Sequence, residues 1–294
     1  MTEIFGVPAP VLYGQLLLGL VNGSFYALLS LGLSLIFGLL NIINFAHGTM
    51  YMLGAFLAYL LMAVFGINYW WALVLVPLGA AILGAVIEKT ILWRIYKLDH
   101  IYGLLVTFAL AMILEGLVRV YFGVSGLRYA VPASLSGMID LGSIRLPLYR
   151  VWVVVAALGV CLFTWFVIER TRLGSLLRAG TENPKLVQAF GVNVPLLITL
   201  VFGWGVALAA FAGVLAAPLM QLTPQIGHSI VITVFGVVVI GGMGSILGSI
   251  ITGLSLGLIE GLTKVYYPEA SATVIFVLMI LVLLVRPYGL FGKQ

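Results

Sequence analysis

Charged residues divide the chain into three zones. No Asp, Glu, Lys or Arg occurs from residue 4 to 87, charges recur from 88 to 185, and none occurs from 186 to 259. A helix that spans a bilayer needs roughly 20 apolar residues. Each charge-free zone is therefore long enough for about three passes, which predicts a polytopic membrane protein.

Polar but uncharged breaks divide the apolar zones into separate helices. The long solid apolar runs do not alternate as barrel strands do, so the segments are expected to be helical. One of them, 230–240, is short and fits either a span or a re-entrant segment. We expect an all-α polytopic membrane protein with about eight to ten transmembrane or re-entrant helices, at 13–39, 50–65, 70–93, 101–122, 151–168, 196–220, 230–240, 246–262 and 273–285.

Composition and charge agree with a membrane location. Hydrophobic residues make up 63% of the 294 and charged residues only 8%, whereas soluble domains carry about 25% charged residues. The net charge of +5 lies largely in connectors between apolar runs, so the positive-inside tendency explains it better than nucleic-acid binding does. The two basic connectors are predicted to share the cytoplasmic side, because two spans separate Lys89, Arg94 and Lys97 from Arg170, Arg172, Arg178 and Lys185.

The second basic connector contains the signals of a short helix. Asn183 is suited to be the N-cap, Pro184 the first helical residue and Gly191 the residue just past the end. This spacing predicts a helix of about two turns on the cytoplasmic side.

Apolar residues of this short helix are predicted to share one face, with Leu186, Val187 and Phe190 at helical spacing. An isolated helix of this length is marginal in water unless its apolar face docks on something. Two interpretations follow from the residues. The helix lies on the membrane surface or on its own spans, or it is a coupling helix seated in a groove of a separate cytoplasmic protein.

Polar residues within or next to the first apolar run are candidates for lining a pathway. They are Asn22, Ser24, Asn41, Asn44 and His47. Buried amides require hydrogen-bond partners, so one interpretation is bonding between helices or a capped helix break. The other is a broken helix whose polar groups meet a zwitterion. His47 has no Cys or second His near it in sequence, and no metal site is predicted.

Two carboxylate–cation pairs stand at i, i+4 spacing, one inside the fourth predicted span and one near the end of the eighth. They are Glu115 with Arg119 and Glu260 with Lys264. Such pairs neutralise each other along one helix face. We expect a structural role for both, with a gate or a subunit contact as the alternative.

Glycines recur at small-xxx-small spacing late in the chain. Close backbone approach is a main source of helix association in lipid. The stripe therefore indicates either tight packing within the chain or a face for a partner subunit, and its members are Gly244, Gly248, Gly253, Gly257 and Gly261.

Three stretches in order along the chain carry a family resemblance: GLVNGSFYALLSLGLSLIFGLLNIINFAHGTMYMLGAF at 19–56, RAGTENPKLVQAFGVN at 178–193 and GGMGSILGSIITGLSLGLIEGL at 241–262. Together they resemble the LivH-like permeases of branched-chain amino-acid ABC importers. The resemblance implies one permease domain over 1–294 in the inner (plasma) membrane of a bacterium, with a cytoplasmic coupling segment at 170–195.

The resemblance also implies a division of labour. A periplasmic binding protein delivers leucine, isoleucine, valine or a related small polar solute, and a second related permease completes the pathway. Two cytoplasmic ATPase subunits supply the energy, one of them docking around 182–190, which includes Glu182. This chain contains no GxxxxGK[ST] phosphate loop and no catalytic constellation, so neither enzyme activity nor a cofactor is expected.

Three other functions were weighed against the sequence. The same family includes permeases for urea and short amides. A self-contained secondary transporter or channel would need no coupling helix and usually carries intramembrane charges for ion coupling. A membrane enzyme is disfavoured because the sequence shows no reactive cluster.

Overall fold

The computed structural model describes residues 3–4, 7–40, 42–96, 98–140 and 145–292. Helices dominate this described part, and the all-α fold class is confirmed. The eleven α-helices there are α1 Ala9–Leu40, α2 Ala46–Phe65, α3 Tyr69–Thr90, α4 His100–Phe122, α5 Leu148–Arg170, α6 Arg172–Glu182, α7 Pro184–Ala189, α8 Val194–Ala216, α9 Ile226–Gly241, α10 Ile246–Tyr266 and α11 Val274–Val285.

Seven of these helices are long and apolar enough to cross a membrane, and α9 and α11 are shorter apolar helices. Their sum of nine, within the described residues, agrees with the eight to ten predicted. Short antiparallel pairings lie outside the helices and were not predicted. They join β1 (Glu3–Ile4) to β2 (Val7–Pro8) and β3 (Met138–Asp140) to β4 (Arg145–Pro147).

The break between α1 and α2 is shorter than predicted. His47 lies in the first turn of α2 and not in a loop. The Asn44 side-chain oxygen accepts a hydrogen bond from the Ala46 backbone N–H at 3.1 Å, which helps the new helix to begin at this point. Asn41 lies outside the described residues.

Glycines allow α1 and α10 to pack closely together. A Cβ atom added at Gly253 would lie 2.6 Å from the Ala27 backbone nitrogen, and one at Gly19 would lie 2.6 Å from the Gly257 carbonyl oxygen. Both distances are shorter than a van der Waals contact between a Cβ atom and a backbone atom. Only glycine therefore fits at these two positions. The interpretation of the stripe as packing within the chain is confirmed for Gly253, Gly257 and Gly261 on α1, for Gly248 on Gly241 and for Gly244 on Gly38.

A polar cluster marks one end of the bundle. The Tyr149 hydroxyl donates to the Leu215 carbonyl at 2.8 Å, and its oxygen lies 3.1 Å from that of the Tyr69 hydroxyl. These residues lie at the start of α5, the end of α8 and the start of α3. A backbone bridge between Leu127 and Leu222 joins two loops at the same end.

A second polar cluster marks the opposite end. The buried Glu88 carboxylate accepts hydrogen bonds from the Thr199 and Tyr96 hydroxyls, each at 2.7 Å. Burial, together with Glu88, raises the pKa of Tyr96 above its ordinary value, so its phenol remains a donor. The end of α3 and the beginning of α8 therefore meet. The two basic connectors share one end of the bundle, as predicted, while Lys97 lies outside the described residues.

Candidate functional site

The second basic connector folds into two consecutive helices, α6 and α7, which we call the connector helices. The predicted helix is α7. The Asn183 side-chain oxygen accepts from the Leu186 backbone N–H at 3.0 Å, Pro184 is the first helical residue, and Gly191 adopts φ +81° just past the end. These local predictions are confirmed. The sequence did not reveal α6, whose last residue is the exposed Glu182.

The predicted common face of α7 is wrong for Val187. Leu186 and Phe190 are 54% and 79% exposed, whereas Val187 is only 8% exposed. The physical reason is that α7 packs against α6 and α8 of the same chain, and Val187 is the residue that faces inward. The helix is thus fixed to the bundle through one side and presents Leu186 and Phe190 outward. Docking on the chain's own bundle is therefore confirmed for Val187, and docking of Leu186 and Phe190 on a separate protein stays a prediction.

The five polar candidates of the first apolar run have different surroundings. The Ser24 hydroxyl donates to the Leu20 carbonyl of its own helix at 2.8 Å, so it is satisfied locally. His47 is fully buried, with its Nε2 atom 3.0 Å from the Leu29 carbonyl oxygen. Asn44 begins α2. Asn22, unlike these three, is described by the cavity that it lines.

That cavity, here called the central cavity, has a volume of about 260 Å³ and lies between α1, α2, α9 and the loop before α9. Its wall combines hydroxyl and amide groups with apolar side chains, and it contains no charged residue. The lining residues are Asn22, Phe25, Tyr26, Tyr51, Met220, Ile226, Ser229, Ile230 and Thr233.

Sequence reasoning missed most of this wall. Tyr26 follows Asn22 by four residues, and Thr233 follows Ser229 by four, so each pair shares a helix face. This spacing is the signal by which the additional residues were detectable. Their meeting in one cavity was not detectable, because α1 and α9 lie about 200 residues apart along the chain.

Glu260 stands directly behind the wall of the central cavity. Its carboxylate accepts from the Asn22 side-chain amide at 3.3 Å and from the Tyr26 hydroxyl at 2.7 Å. It also pairs with Lys264, as predicted. Glu260 therefore does more than neutralise a cation on its own helix, because it joins α10 to α1.

The other predicted ion pair is formed in a more open setting. Arg119 lies 3.1 Å from Glu115, and their side chains are 50% and 23% exposed. No hydrogen bond from another described helix to either side chain accompanies the pair. The two i, i+4 pairs thus have the same spacing but different environments.

Comparison with known proteins identifies the family. The family described as "Branched-chain amino acid transport system / permease component" matches residues 15–283. The chain belongs to this family. The high-affinity branched-chain amino acid transport system permease protein LivH of Escherichia coli strain K12 is 32% identical over 298 residues, which covers 95% of both chains.

Other relatives are named as permeases for branched-chain amino acids or for ribose. The corresponding permease protein BraD of Pseudomonas aeruginosa is also 32% identical, over 95% of both chains. The ribose import permease protein RbsC of Escherichia coli strain K12 is 26% identical over 70% of this chain and 65% of its own. No solved structure gives a significant match to the chain.

Proposed function

We propose that this chain is a permease subunit of an ABC importer for branched-chain amino acids in the inner membrane of a bacterium. The observation that carries the proposal is the match to the permease family over residues 15–283. The 32% identity to LivH and BraD over 95% of the chain supports the solute class. ATP is hydrolysed on separate subunits, and this chain forms part of the translocation pathway.

The connector helices are the proposed site of coupling to an ATPase. Val187 fixes α7 to its own bundle. Leu186 within this helix of six residues and Phe190 at its C-cap project outward. Exposed large apolar residues on so short a helix gain most when they enter a complementary pocket of a partner. Asn183, Pro184 and Gly191 define the length of α7, and Glu182 precedes it, so these residues set how the apolar pair is presented.

The other proposed partners are assigned to the far end and to the apolar sides of the bundle. The end opposite the connector helices carries the loop with β3 and β4 and the segment before α9. It is the proposed contact for a periplasmic solute-binding protein. A second, homologous permease subunit and membrane lipid cover the exposed apolar sides, which include most of α4.

Substitution of the most exposed apolar residue of α7 tests the coupling proposal. In a complex reconstituted into proteoliposomes, Phe190→Asp is expected to lower ATP-driven leucine uptake at least tenfold, because a charge cannot enter an apolar pocket without a large desolvation cost. Solute capture by the binding protein should be unchanged.

Gln188→Asp is the matched control, since it adds the same charge to the same helix two residues away. It should retain most of the uptake. Normal uptake by Phe190→Asp would contradict docking through α7. Full-rate uptake by this chain alone, without any ATPase, would contradict the ABC importer function itself.

A further inference from the structure

The hydrogen bonds around Glu260 fix the orientation of two groups in the central cavity wall. A carboxylate accepts hydrogen bonds and has no proton to donate. Tyr26 must therefore direct its O–H toward Glu260, and Asn22 must direct its NH₂ group there. The lone pairs of the Tyr26 oxygen and the side-chain carbonyl of Asn22 are left for other partners.

Further hydroxyl groups in the wall have also used their protons within the protein. The Ser229 hydroxyl donates to the Ile226 carbonyl at 3.0 Å, and the Tyr51 hydroxyl points to the Met220 sulfur at 3.5 Å. Each hydroxyl has one proton and two lone pairs. Tyr26, Tyr51 and Ser229 therefore present acceptors to the cavity. The Thr233 hydroxyl and the second N–H of Asn22 are the side-chain donors that remain in the wall.

Charge strengthens this asymmetry. Glu260 is 7% exposed and lies one side chain behind the wall, and its negative charge polarises the Tyr26 hydroxyl and the Asn22 amide that bond to it. Lys264, one turn further along α10, bonds to the same carboxylate oxygen as Asn22 and offsets part of that charge. A group with several N–H donors and a positive charge is the natural complement of such a wall.

We propose that the central cavity holds the ammonium group of an amino acid in transit through acceptors on Asn22, Tyr26 and Ser229, with Glu260 as the positioning residue that orients Asn22 and Tyr26. The apolar remainder of the wall, from Phe25, Ile226 and Ile230, is suited to an aliphatic side chain. The volume of about 260 Å³ lies just below the range of about 300–1,000 Å³ for pockets that hold drug-sized ligands, which suits a smaller solute. This inference rests on the proposed function and adds the part of the solute that is recognised.

A binding experiment on the complete permease–ATPase complex in nanodiscs tests the donor requirement. The probes are leucine, 3-methylbutylamine, which lacks the carboxylate, and 4-methylpentanoate, which lacks the amino group. Leucine and the amine are expected to bind, and the acid at least tenfold more weakly. Equal binding of leucine and the acid would overturn the proposal.

Variants locate the binding in the central cavity. Tyr26→Phe removes one acceptor oxygen and leaves Glu260 paired with Asn22 and Lys264. Glu260→Gln introduces an NH₂ group that competes for the acceptors of Tyr26 and Asn22. Each is expected to weaken leucine binding at least fivefold, whereas Glu115→Gln, at a pair of the same spacing on α4, should bind as the unchanged chain does.

The ATPase activity separates failure of this proposal from failure of the function. Glu115→Gln should retain the coupling of ATP hydrolysis to leucine import, whereas Tyr26→Phe and Glu260→Gln should import fewer leucine molecules per ATP hydrolysed. Unchanged leucine binding and import in Tyr26→Phe would overturn the ammonium site alone. Absence of ATP-driven uptake in the unchanged complex would instead overturn the proposed function.

Discussion

Two buried carboxylates, Glu88 and Glu260, accept hydrogen bonds from hydroxyl groups outside their own helices. Glu88 receives two hydroxyl hydrogen bonds and Glu260 receives one, together with an amide and an ammonium group. A buried charge without such partners would cost several kcal/mol. At the scale of single residues, stability therefore depends on hydrogen-bond donors both near in sequence, such as Tyr96, and distant, such as Thr199.

Removing one of the two hydroxyl groups that donate to Glu88 should destabilise the protein. Thr199→Val keeps the shape of the side chain and takes away one donor, which is expected to cost about 1–3 kcal/mol. The melting temperature of the detergent-solubilised protein should fall by several degrees.

Thr90→Val is the matched control for this experiment. The Thr90 hydroxyl is exposed and bonds only to the Val86 carbonyl of its own helix, so this variant should melt as the unchanged protein does. Thr199→Ser retains the hydroxyl and should recover most of the loss. A Thr199→Val protein of unaltered melting temperature would show that Glu88 does not need this donor.

Close contact between α1 and α10 depends on glycine backbones and not on large side chains. At Gly253 a methyl group would meet the backbone of Ala27, which cannot move aside as a flexible side chain does. This contact also carries the hydrogen bonds from Asn22 and Tyr26 to Glu260. The small residues and the polar network thus act on the same pair of helices.

Adding one methyl group at this contact should separate the two helices. Gly253→Ala is expected to cost about 1–3 kcal/mol by overpacking and to lower the melting temperature. Gly159→Ala in α5 is the control, since nothing lies within 4 Å of a Cβ atom there. If both variants melted at the same temperature, the tight fit of α1 on α10 would not contribute to stability.

The two ends of the whole molecule carry different chemistry. Basic connectors and the connector helices occupy one end, and the tyrosine cluster and the β3–β4 loop occupy the other. Positive residues favour the cytoplasmic side of a membrane. We therefore expect the connector helices to face the cytoplasm.

Cysteine labelling tests this orientation. Cys161 is buried and is the only cysteine, so Cys161→Ala provides a background without thiols. In that background, a membrane-impermeant maleimide should label Ser134→Cys in spheroplasts and Ser175→Cys only in inverted vesicles. Both serines are exposed. The reverse pattern would contradict the assigned orientation.

Local signals made much of this protein predictable. The caps around α7 lie within eight residues of one another, and each apolar run is continuous, so both depend only on neighbours in sequence. Helix α6 was missed because no capping side chain marks its start and two glycines, Gly174 and Gly180, lie within it. The burial of the Val187 side chain was not predicted because it depends on the positions of α6 and α8 in the folded chain.

The sequence by itself determined that the chain is a polytopic helical membrane protein with a capped helix in a basic connector, because length, hydrophobicity and capping are local properties. Only the tertiary structure decided which polar residues meet. Asn22 and Glu260 lie 238 positions apart, and only the packing of α1 on α10 turns them into one network. Spacing along a helix predicts which residues share a face, whereas the partner of that face is chosen by the packing of the whole chain.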